Sequence, residues 1–200
     1  MSRFSSKRRA VLTATAAGLL SMTLAACSKS ELPFLGSDIS GTHLGSALKM
    51  VDPSGATRTL ADYKGKVVVA FFGFTHCPDV CPTAMAQLAQ TMALLKDDAN
   101  KIQVIMITVD PERDTPEILG KYVKAFHPAF TGLTGSADQL KKTAQSFKAY
   151  YAKAAGPTPE QYSMDHGSSF YILDQDGEAR VLLRGDVPAE TIANDIKLLL

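Results

Sequence analysis

Two stretches of the chain are continuously apolar over the length of one β-strand. The first is VVVAFFGF, residues 67–74, and the second is IQVIMITV, residues 102–109. A strand buried on both faces shows no polar alternation, so this pattern predicts two central strands of one sheet. Shorter strand patterns predict a β-hairpin before them, in SALKMVD and ATRTLADYKGK, and another after them, in SSFYILD and ARVLLRG.

Four segments carry apolar residues at helical spacing. They are residues 84–98, 115–126, 136–150 and 188–200. Thr115 and Ser136 are predicted to cap the second and third helices, because a hydroxyl oxygen can accept a hydrogen bond from the first turn. Residues 150–164 are predicted to form a long surface loop, a place suited to docking a partner.

The order of these elements indicates the fold class. Strand, helix, strand and helix, followed by a hairpin and a helix, is typical of the thioredoxin-like fold, and a right-handed crossover makes the two buried strands parallel neighbours. A flavodoxin-like sheet has similar periodicity, but the terminal hairpin favours the thioredoxin-like arrangement. We therefore predict an α/β protein of thioredoxin-like fold, with a central mixed sheet flanked by helices and an N-terminal hairpin.

The N-terminus has the pattern of an export signal. Basic residues precede an acid-free apolar run over residues 10–26, as in a signal peptide; an uncleaved membrane anchor is the alternative. The ending LAAC resembles a bacterial lipoprotein signal, in which Cys27 becomes the lipidated first residue. We predict a signal peptide over residues 1–26, a tether over 27–44 and a domain over 45–200, exported and held by lipid on a membrane, facing the periplasm.

Charge and cysteine usage narrow the functional classes. The chain has 21 basic and 20 acidic residues, and the predicted signal peptide removes four basic and no acidic ones, leaving 17 basic and 20 acidic. A nucleic-acid-binding domain carries a basic surplus, so we expect no nucleic-acid partner. If Cys27 carries lipid, two cysteines remain, Cys77 and Cys81. Outside the cytosol such a pair needs a reductant to stay reduced.

Both cysteines lie in FFGFTHCPDVCPT, directly after the first apolar strand. Sites in open α/β sheets tend to lie at the carboxyl ends of strands. Each cysteine precedes a proline, which biases its backbone away from the helical region, whereas Pro82 fits the first turn of a helix. We predict Cys77 in a turn and Cys81 at or just before a helix start, where free N–H groups favour thiolates.

Several chemistries use a cysteine pair of this kind. A structural disulfide is disfavoured, because closing a five-residue loop restricts the unfolded chain little. A general thiol–disulfide oxidoreductase spaces its cysteines by two residues, where this chain has three. A peroxiredoxin-like peroxidase is disfavoured because the residues before Cys81 do not match. A metal site and a redox pair both stay open.

A third soft ligand is available in His166, which lies in YSMDHGSSFYILD just before a predicted core strand. In a thioredoxin-like fold the loop entering that strand faces the active-site turn. Two thiolates and one imidazole suit Cu(I) better than hard cations, and structural zinc wants a fourth ligand. His76, His43 and His127 are expected to be solvated. Met164 is expected to fill the core or to be exposed, and the alternative is a soft thioether ligand.

Three motifs, GFTHCPDVCPT, TVDPERDTPEIL and DHGSSFYILD, resemble in order and spacing those of the Sco/SenC family of exported copper-binding, thioredoxin-like proteins. The resemblance covers residues 48–200. It implies that Cys77, Cys81 and His166 bind copper, as Cu(I), Cu(II) or both. It further implies delivery of copper to the binuclear copper centre of cytochrome c oxidase, or reduction of that centre's cysteines before metallation. The implied partners are the oxidase's copper-centre subunit and a periplasmic thioredoxin-like reductant or copper donor.

Two carboxylates have open roles. The resemblance suggests that Asp110 lies near the copper loop, where it orients a ligand or tunes charge; the alternative is an ordinary turn before a helix. Asp79, between the cysteines, has the same two interpretations, and the turn is favoured. We interpret the chain as a metallochaperone rather than an enzyme. The alternatives are a periplasmic thiol–disulfide oxidoreductase and a lipoprotein that binds or senses metal without delivering it.

Overall fold

A computed structural model describes residues 32–158 and 161–200. The predicted signal peptide, Cys27 and the start of the predicted tether lie outside these residues. Among the residues described, no helix has the length and apolar character to cross a membrane.

The described residues form ten strands and four α-helices. The strands are β1 (Ser37–Asp38), β2 (Met50–Val51), β3 (Thr57–Arg58), β4 (Val67–Gly73), β5 (Ile102–Thr108), β6 (Thr131–Leu133), β7 (Tyr151–Ala154), β8 (Ser163–His166), β9 (Phe170–Leu173) and β10 (Ala179–Leu183). The helices are α1 (Val80–Leu95), α2 (Pro116–Phe126), α3 (Ala137–Phe147) and α4 (Ala189–Lys197), with 3₁₀ helices at Leu60–Tyr63 and Lys96–Lys101.

Six strands form one mixed sheet in the order β1-β10-β9-β4-β5-β6. β4 and β5 are parallel neighbours, with Val67 opposite Ile102 and Gly73 opposite Thr108. β9 lies on the other side of β4 and is antiparallel to it, as is β10 to β9. Every residue of β4 is buried, so the prediction of two central parallel strands is confirmed. The predicted N-terminal hairpin is present as β2 and β3.

The four predicted helices are present, with shifts at their ends. The hydroxyls of Thr115 and Ser136 accept hydrogen bonds from the N–H groups of Ile118 and Gln139, at 3.3 and 3.2 Å, as expected of N-caps. α1 starts earlier than predicted, at Val80. Cys81 is the second residue of this helix, so its predicted position at the helix start is confirmed.

The predicted tether extends too far along the chain. Ser37 and Asp38 form β1, an edge strand antiparallel to β10, and the N–H groups of Leu35 and Gly36 donate to the buried carboxylate of Asp195 at 2.8 and 2.9 Å. The backbone of this segment thus finds partners in the domain well before residue 45. A strand of two residues is too short to show a sequence period, which is why the pattern indicated a tether.

The loop predicted over residues 150–164 is wrong in part. β7 and β8 form an antiparallel hairpin, with Tyr151 opposite His166 and Ala154 opposite Ser163. This hairpin is a separate two-stranded sheet and is not part of the central one. Its residues are mostly half-buried or exposed, so they lack the apolar run that identified β4 and β5.

Candidate metal site

The three soft ligands predicted from the sequence lie together. One ligand atom from each of Cys77, Cys81 and His166 lies within 4.8 Å of the other two. Cys81 Sγ is 3.4 Å from His166 Nε2, and both cysteines are free thiols. The side chain of Cys81 is fully buried, Cys77 is 9% exposed and His166 is half-buried. The cluster is therefore reached from solvent on the side of Cys77 and His166.

Two segments supply these ligands. Cys77 lies in the turn that follows β4, where its N–H donates to the carbonyl of Phe74 at 3.3 Å. Cys81 lies in the first turn of α1, and its N–H donates to Cys77 Sγ at 3.4 Å. An N–H group that the helix itself cannot satisfy thus meets a sulfur. His166 is the last residue of β8 and comes from the separate hairpin.

The hydrogen bond of His166 selects which ring nitrogen can bind a metal. Nδ1 is 2.9 Å from the carbonyl oxygen of Gly167. A carbonyl only accepts, so this contact places the proton of a neutral ring on Nδ1 and leaves the lone pair on Nε2. Nε2 is the nitrogen that faces Cys81 Sγ. The rings of Phe71 and Phe74 also pack against the imidazole in T-shaped arrangements, with centroids 6.1 and 5.8 Å away.

The thiol of Cys81 behaves differently from the expectation based on its position. Burial raises the pKa of Cys81 well above its usual range, and this outweighs the opposing hydrogen bond from the backbone of Phe74. The prediction that the helix start favours a thiolate is therefore wrong for Cys81. Its thiol keeps the proton at neutral pH until a cation replaces that proton.

Gly73, the last residue of β4, leaves space for the buried sulfur. A Cβ atom there would lie 3.0 Å from Cys81 Sγ and 2.7 Å from Cε1 of Phe71. Neither atom can move far, because both residues are fully buried. The residue at position 73 therefore bears directly on the site, although its role was not predicted from the sequence. A glycine that ends a buried strand before a cysteine motif is the signal that could have found it.

Asp114 was also not predicted from the sequence to have a role. It fixes the loop that precedes Cys77. Its buried carboxylate accepts hydrogen bonds from the N–H of Thr75 at 3.1 Å, from the Thr75 hydroxyl at 2.5 Å and from the Thr108 hydroxyl at 2.6 Å. These contacts tie the loop to the end of β5. Asp114 lies in the TVDPERDTPEIL motif that drew attention to Asp110, but its inward direction depends on how β5 and α2 are joined.

Replacing Asp114 with asparagine is expected to lower the free energy of unfolding by about 1–2 kcal/mol. The amide keeps the shape of the carboxylate but makes weaker hydrogen bonds to Thr75 and Thr108, because charge-assisted bonds are roughly twice as strong as neutral ones. Urea denaturation of the reduced chain measures this. The control is Asp97→Asn at an exposed carboxylate, expected to change stability by less than about 0.5 kcal/mol. Equal stability of the two variants would contradict the role given to Asp114.

The two carboxylates with open roles occupy different places. Asp110 is buried, forms an ion pair with Arg113 and accepts a hydrogen bond from the Tyr162 hydroxyl at 2.8 Å. It is not one of the three clustered ligands. Asp79 is the N-cap residue of α1, but its exposed side chain makes no capping hydrogen bond.

The remaining histidines lie outside the cluster of three ligands. His76 and His43 are exposed, and His43 pairs with Glu178 at 3.0 Å. His127 is half-buried rather than fully solvated, with its ring 5.0 Å from that of Phe130. Met164 is buried in the core, as predicted.

These observations define a class of protein: a thioredoxin-like domain with a soft, three-ligand Cys₂His cluster beyond the carboxyl end of its central strand. Comparison with known proteins identifies the family. The SCO1/SenC family model matches residues 37–200, and the chain belongs to this family.

Individual relatives support this assignment. The mitochondrial SCO2 homolog of Bos taurus is 40% identical over 130 residues, which are 64% of this chain and 49% of the bovine protein. The chain thus spans about half the length of that relative. The structure of Bradyrhizobium japonicum ScoI with copper bound has a TM-score of 0.71 and 33% identity, covering 82% of this chain and 99% of that one.

A third relative is BsSco, described as a member of the Sco family of cytochrome c oxidase assembly proteins in which a disulfide switch was identified. Its TM-score is 0.63 at 28% identity, covering 82% of this chain and 95% of that one. These likenesses confirm the thioredoxin-like α/β fold predicted from the element order.

Proposed function

We propose that this chain is a copper metallochaperone of cytochrome c oxidase assembly, which binds copper through Cys77, Cys81 and His166 and supplies it to the oxidase's binuclear copper centre. The observation that carries the proposal is the convergence of these ligand atoms within 4.8 Å. The copper-bound ScoI relative and the description of the family of BsSco support the choice of metal and process.

The three proposed ligand atoms suit copper. Two sulfurs and one imidazole nitrogen are soft or borderline ligands, which suit Cu(I). Each thiol that binds the ion gives up its proton, so copper entry releases protons and proton return assists copper departure. Because Cys81 is fully buried and Cys77 is not, we infer that ligand exchange with a donor or acceptor begins at Cys77 or His166 and reaches Cys81 last.

A thiol–disulfide function is the second candidate, favoured by the contact between the Cys81 N–H and Cys77 Sγ at 3.4 Å. In this reaction Cys77, the more accessible thiol, attacks a disulfide of the target protein as a thiolate. Cys81 Sγ then attacks Cys77 Sγ, its proton passes to the departing sulfur of the target, and the bond between Cys77 and the target breaks, so that the chain gains a Cys77–Cys81 disulfide and the target gains two thiols. The disulfide switch named for BsSco is consistent with this chemistry.

For location we propose an exported protein held on a membrane by lipid at Cys27, facing the periplasm. The support is the basic and apolar pattern of residues 1–26, followed by LAAC. The proposed partners are the copper-centre subunit of the oxidase and a periplasmic thioredoxin-like reductant or copper donor.

A transfer experiment separates the two functions. Reduced full-length chain loaded with one Cu(I) is mixed anaerobically with the apo copper-centre subunit, whose cysteines are already reduced, and the copper on each is measured after separation. The proposal expects copper to move to the subunit. Reduction of the oxidised subunit by the metal-free chain, with no copper transfer to the reduced one, would assign the thiol–disulfide function instead.

A further inference from the structure

The position of His166 depends on a hairpin that lies outside the central sheet. β7 and β8 pair only with each other among the described strands, whereas Cys77 and Cys81 follow directly from β4. The distance between the imidazole and the sulfurs is therefore set by the contacts that hold this hairpin against the rest of the domain.

Tyr162, the residue before β8, contacts the loop after β5 through several of its groups. Its hydroxyl donates to the buried carboxylate of Asp110 at 2.8 Å, and its carbonyl accepts from Nη1 of Arg113 at 3.1 Å. The guanidinium carbon of Arg113 lies 3.7 Å from the centre of the tyrosine ring, and Lys153 Nζ of β7 lies 3.8 Å from it. Tyr162 is thus held through its ring, its hydroxyl and its backbone carbonyl.

Arg113 links this contact to the imidazole. Besides its ion pair with Asp110, it lies 6.0 Å from the ring centre of Phe74. The ring of Phe74 in turn meets the imidazole of His166 edge to face, at 5.8 Å and 90°. The loop after β5, the turn that carries Cys77 and the hairpin that carries His166 therefore share one contact network.

The strength of this network is concentrated in the bonds that cross between segments. Asp110 and Arg113 lie on the same loop, so their ion pair shapes the loop without holding the hairpin. The hydroxyl of Tyr162 bonds a buried carboxylate, a charge-assisted bond stronger than a neutral one. Burial, together with the bond to Asp110, raises the pKa of Tyr162 to about 12, so the hydroxyl stays a donor at neutral pH.

We propose that Tyr162, held by Asp110 and Arg113, is a positioning residue that keeps His166 over the cysteine pair and so sets how firmly the third ligand holds the metal. The effect on metal binding rests on the proposed function, whereas the position of His166 is a property of the metal-free protein. Releasing Tyr162 is expected to leave the two cysteines in place and to loosen only the imidazole.

The test compares Tyr162→Phe with Tyr150→Phe in the reduced full-length chain. Tyr162→Phe removes the hydroxyl that bonds Asp110 and keeps the ring. Tyr150→Phe removes a hydroxyl from an exposed side chain just before β7. In the metal-free protein we expect Tyr162→Phe to speed amide hydrogen exchange in β8 by about tenfold, measured at Asp165, whose N–H faces β7, and at Gly167 just after β8, whose N–H donates to the carbonyl of Tyr150. Exchange in β9 should change less than twofold, and Tyr150→Phe should change neither strand.

Measurements on the copper-loaded protein show whether Tyr162 affects metal binding through the imidazole of His166. We expect Tyr162→Phe to weaken Cu(I) affinity by about tenfold and to shift the thiolate-to-copper absorption of the Cu(II) form. In a His166→Ala background the same substitution should change Cu(I) affinity by less than twofold, since the ligand that it positions is gone.

The outcomes separate the inference from the proposed function. Unchanged hydrogen exchange in β8 would overturn the role of Tyr162, as would an equal loss of affinity with and without His166. Absence of Cu(I) binding by the unmodified chain and by Tyr150→Phe would instead overturn the proposed function, while the exchange data would still decide what Tyr162 positions.

Discussion

Replacing Cys81 with serine is expected to weaken Cu(I) binding by the reduced chain by about 10²–10³. Structural zinc sites with four ligands bind with about 10–16 kcal/mol, which is about 3–4 kcal/mol for each ligand, so the loss of one thiolate lowers the affinity by about 10²–10³. A hydroxyl does not replace it, because oxygen is a hard ligand and Cu(I) a soft ion. Competition with a Cu(I) chelator under anaerobic conditions measures the loss, and Cys77→Ser should behave alike.

Two further variants make this result specific. Cys81 is fully buried, so a serine there brings a polar group into an apolar place. Cys81→Ala, which lacks that group, should lose copper equally and remain folded by circular dichroism. Cys27→Ser removes a thiol that the site does not use, and one Cu(I) per chain should remain bound. Undiminished affinity in a folded Cys77 or Cys81 variant would refute the ligand assignment.

The affinity for Cu(I) is expected to rise steeply with pH. Burial raises the pKa of Cys81 well above its usual range, so between pH 7 and pH 9 this thiol is protonated in the metal-free protein and deprotonated in the copper complex. Releasing the proton of Cys81 on binding increases the apparent affinity about tenfold per pH unit, so at least about 100-fold over this interval. The measurement is a chelator competition at each pH, corrected for the protonation of the chelator.

The raised pKa of Cys81 has the opposite effect on the stability of the metal-free protein, which falls as the pH rises. The folded, metal-free protein favours the neutral thiol, so its stabilising contribution is complete below the unfolded pKa of about 8.5 and is lost as the pH rises toward the folded pKa.

His166→Ala is the control for the pH dependence of Cu(I) affinity, because it weakens binding and leaves the proton release of Cys81 intact. A Cu(I) affinity that does not change from pH 7 to pH 9 would contradict the assignment of a buried, protonated thiol at Cys81.

The sequence was most informative where a residue's surroundings are dictated by its neighbours in the chain. β4 and β5 were predictable because both faces of each strand are buried, which leaves a long apolar run. The caps at Thr115 and Ser136 were predictable because capping is local. The clustering of Cys77, Cys81 and His166 was predictable because the two cysteines follow a central strand directly, and His166 precedes a core strand whose entering loop faces that turn in a thioredoxin-like fold.

The rest depends on contacts between distant segments. β1 and β6 are edge strands of two and three residues, too short to carry a period. The β7–β8 hairpin is partly exposed and is held through Tyr162 by residues some 50 positions earlier. The raised pKa of Cys81 follows from the burial of its side chain in the folded domain, which overrides the local effect of the helix start.

Anaerobic titration of the reduced full-length chain with Cu(I), followed by X-ray absorption spectroscopy at the copper edge, tests the central claim most directly. The account predicts one Cu(I) per chain, with two sulfur neighbours and one imidazole nitrogen around it. A folded, reduced chain that binds no stoichiometric copper, or that binds it with fewer than two sulfurs, would contradict the assignment of Cys77, Cys81 and His166 as the copper site.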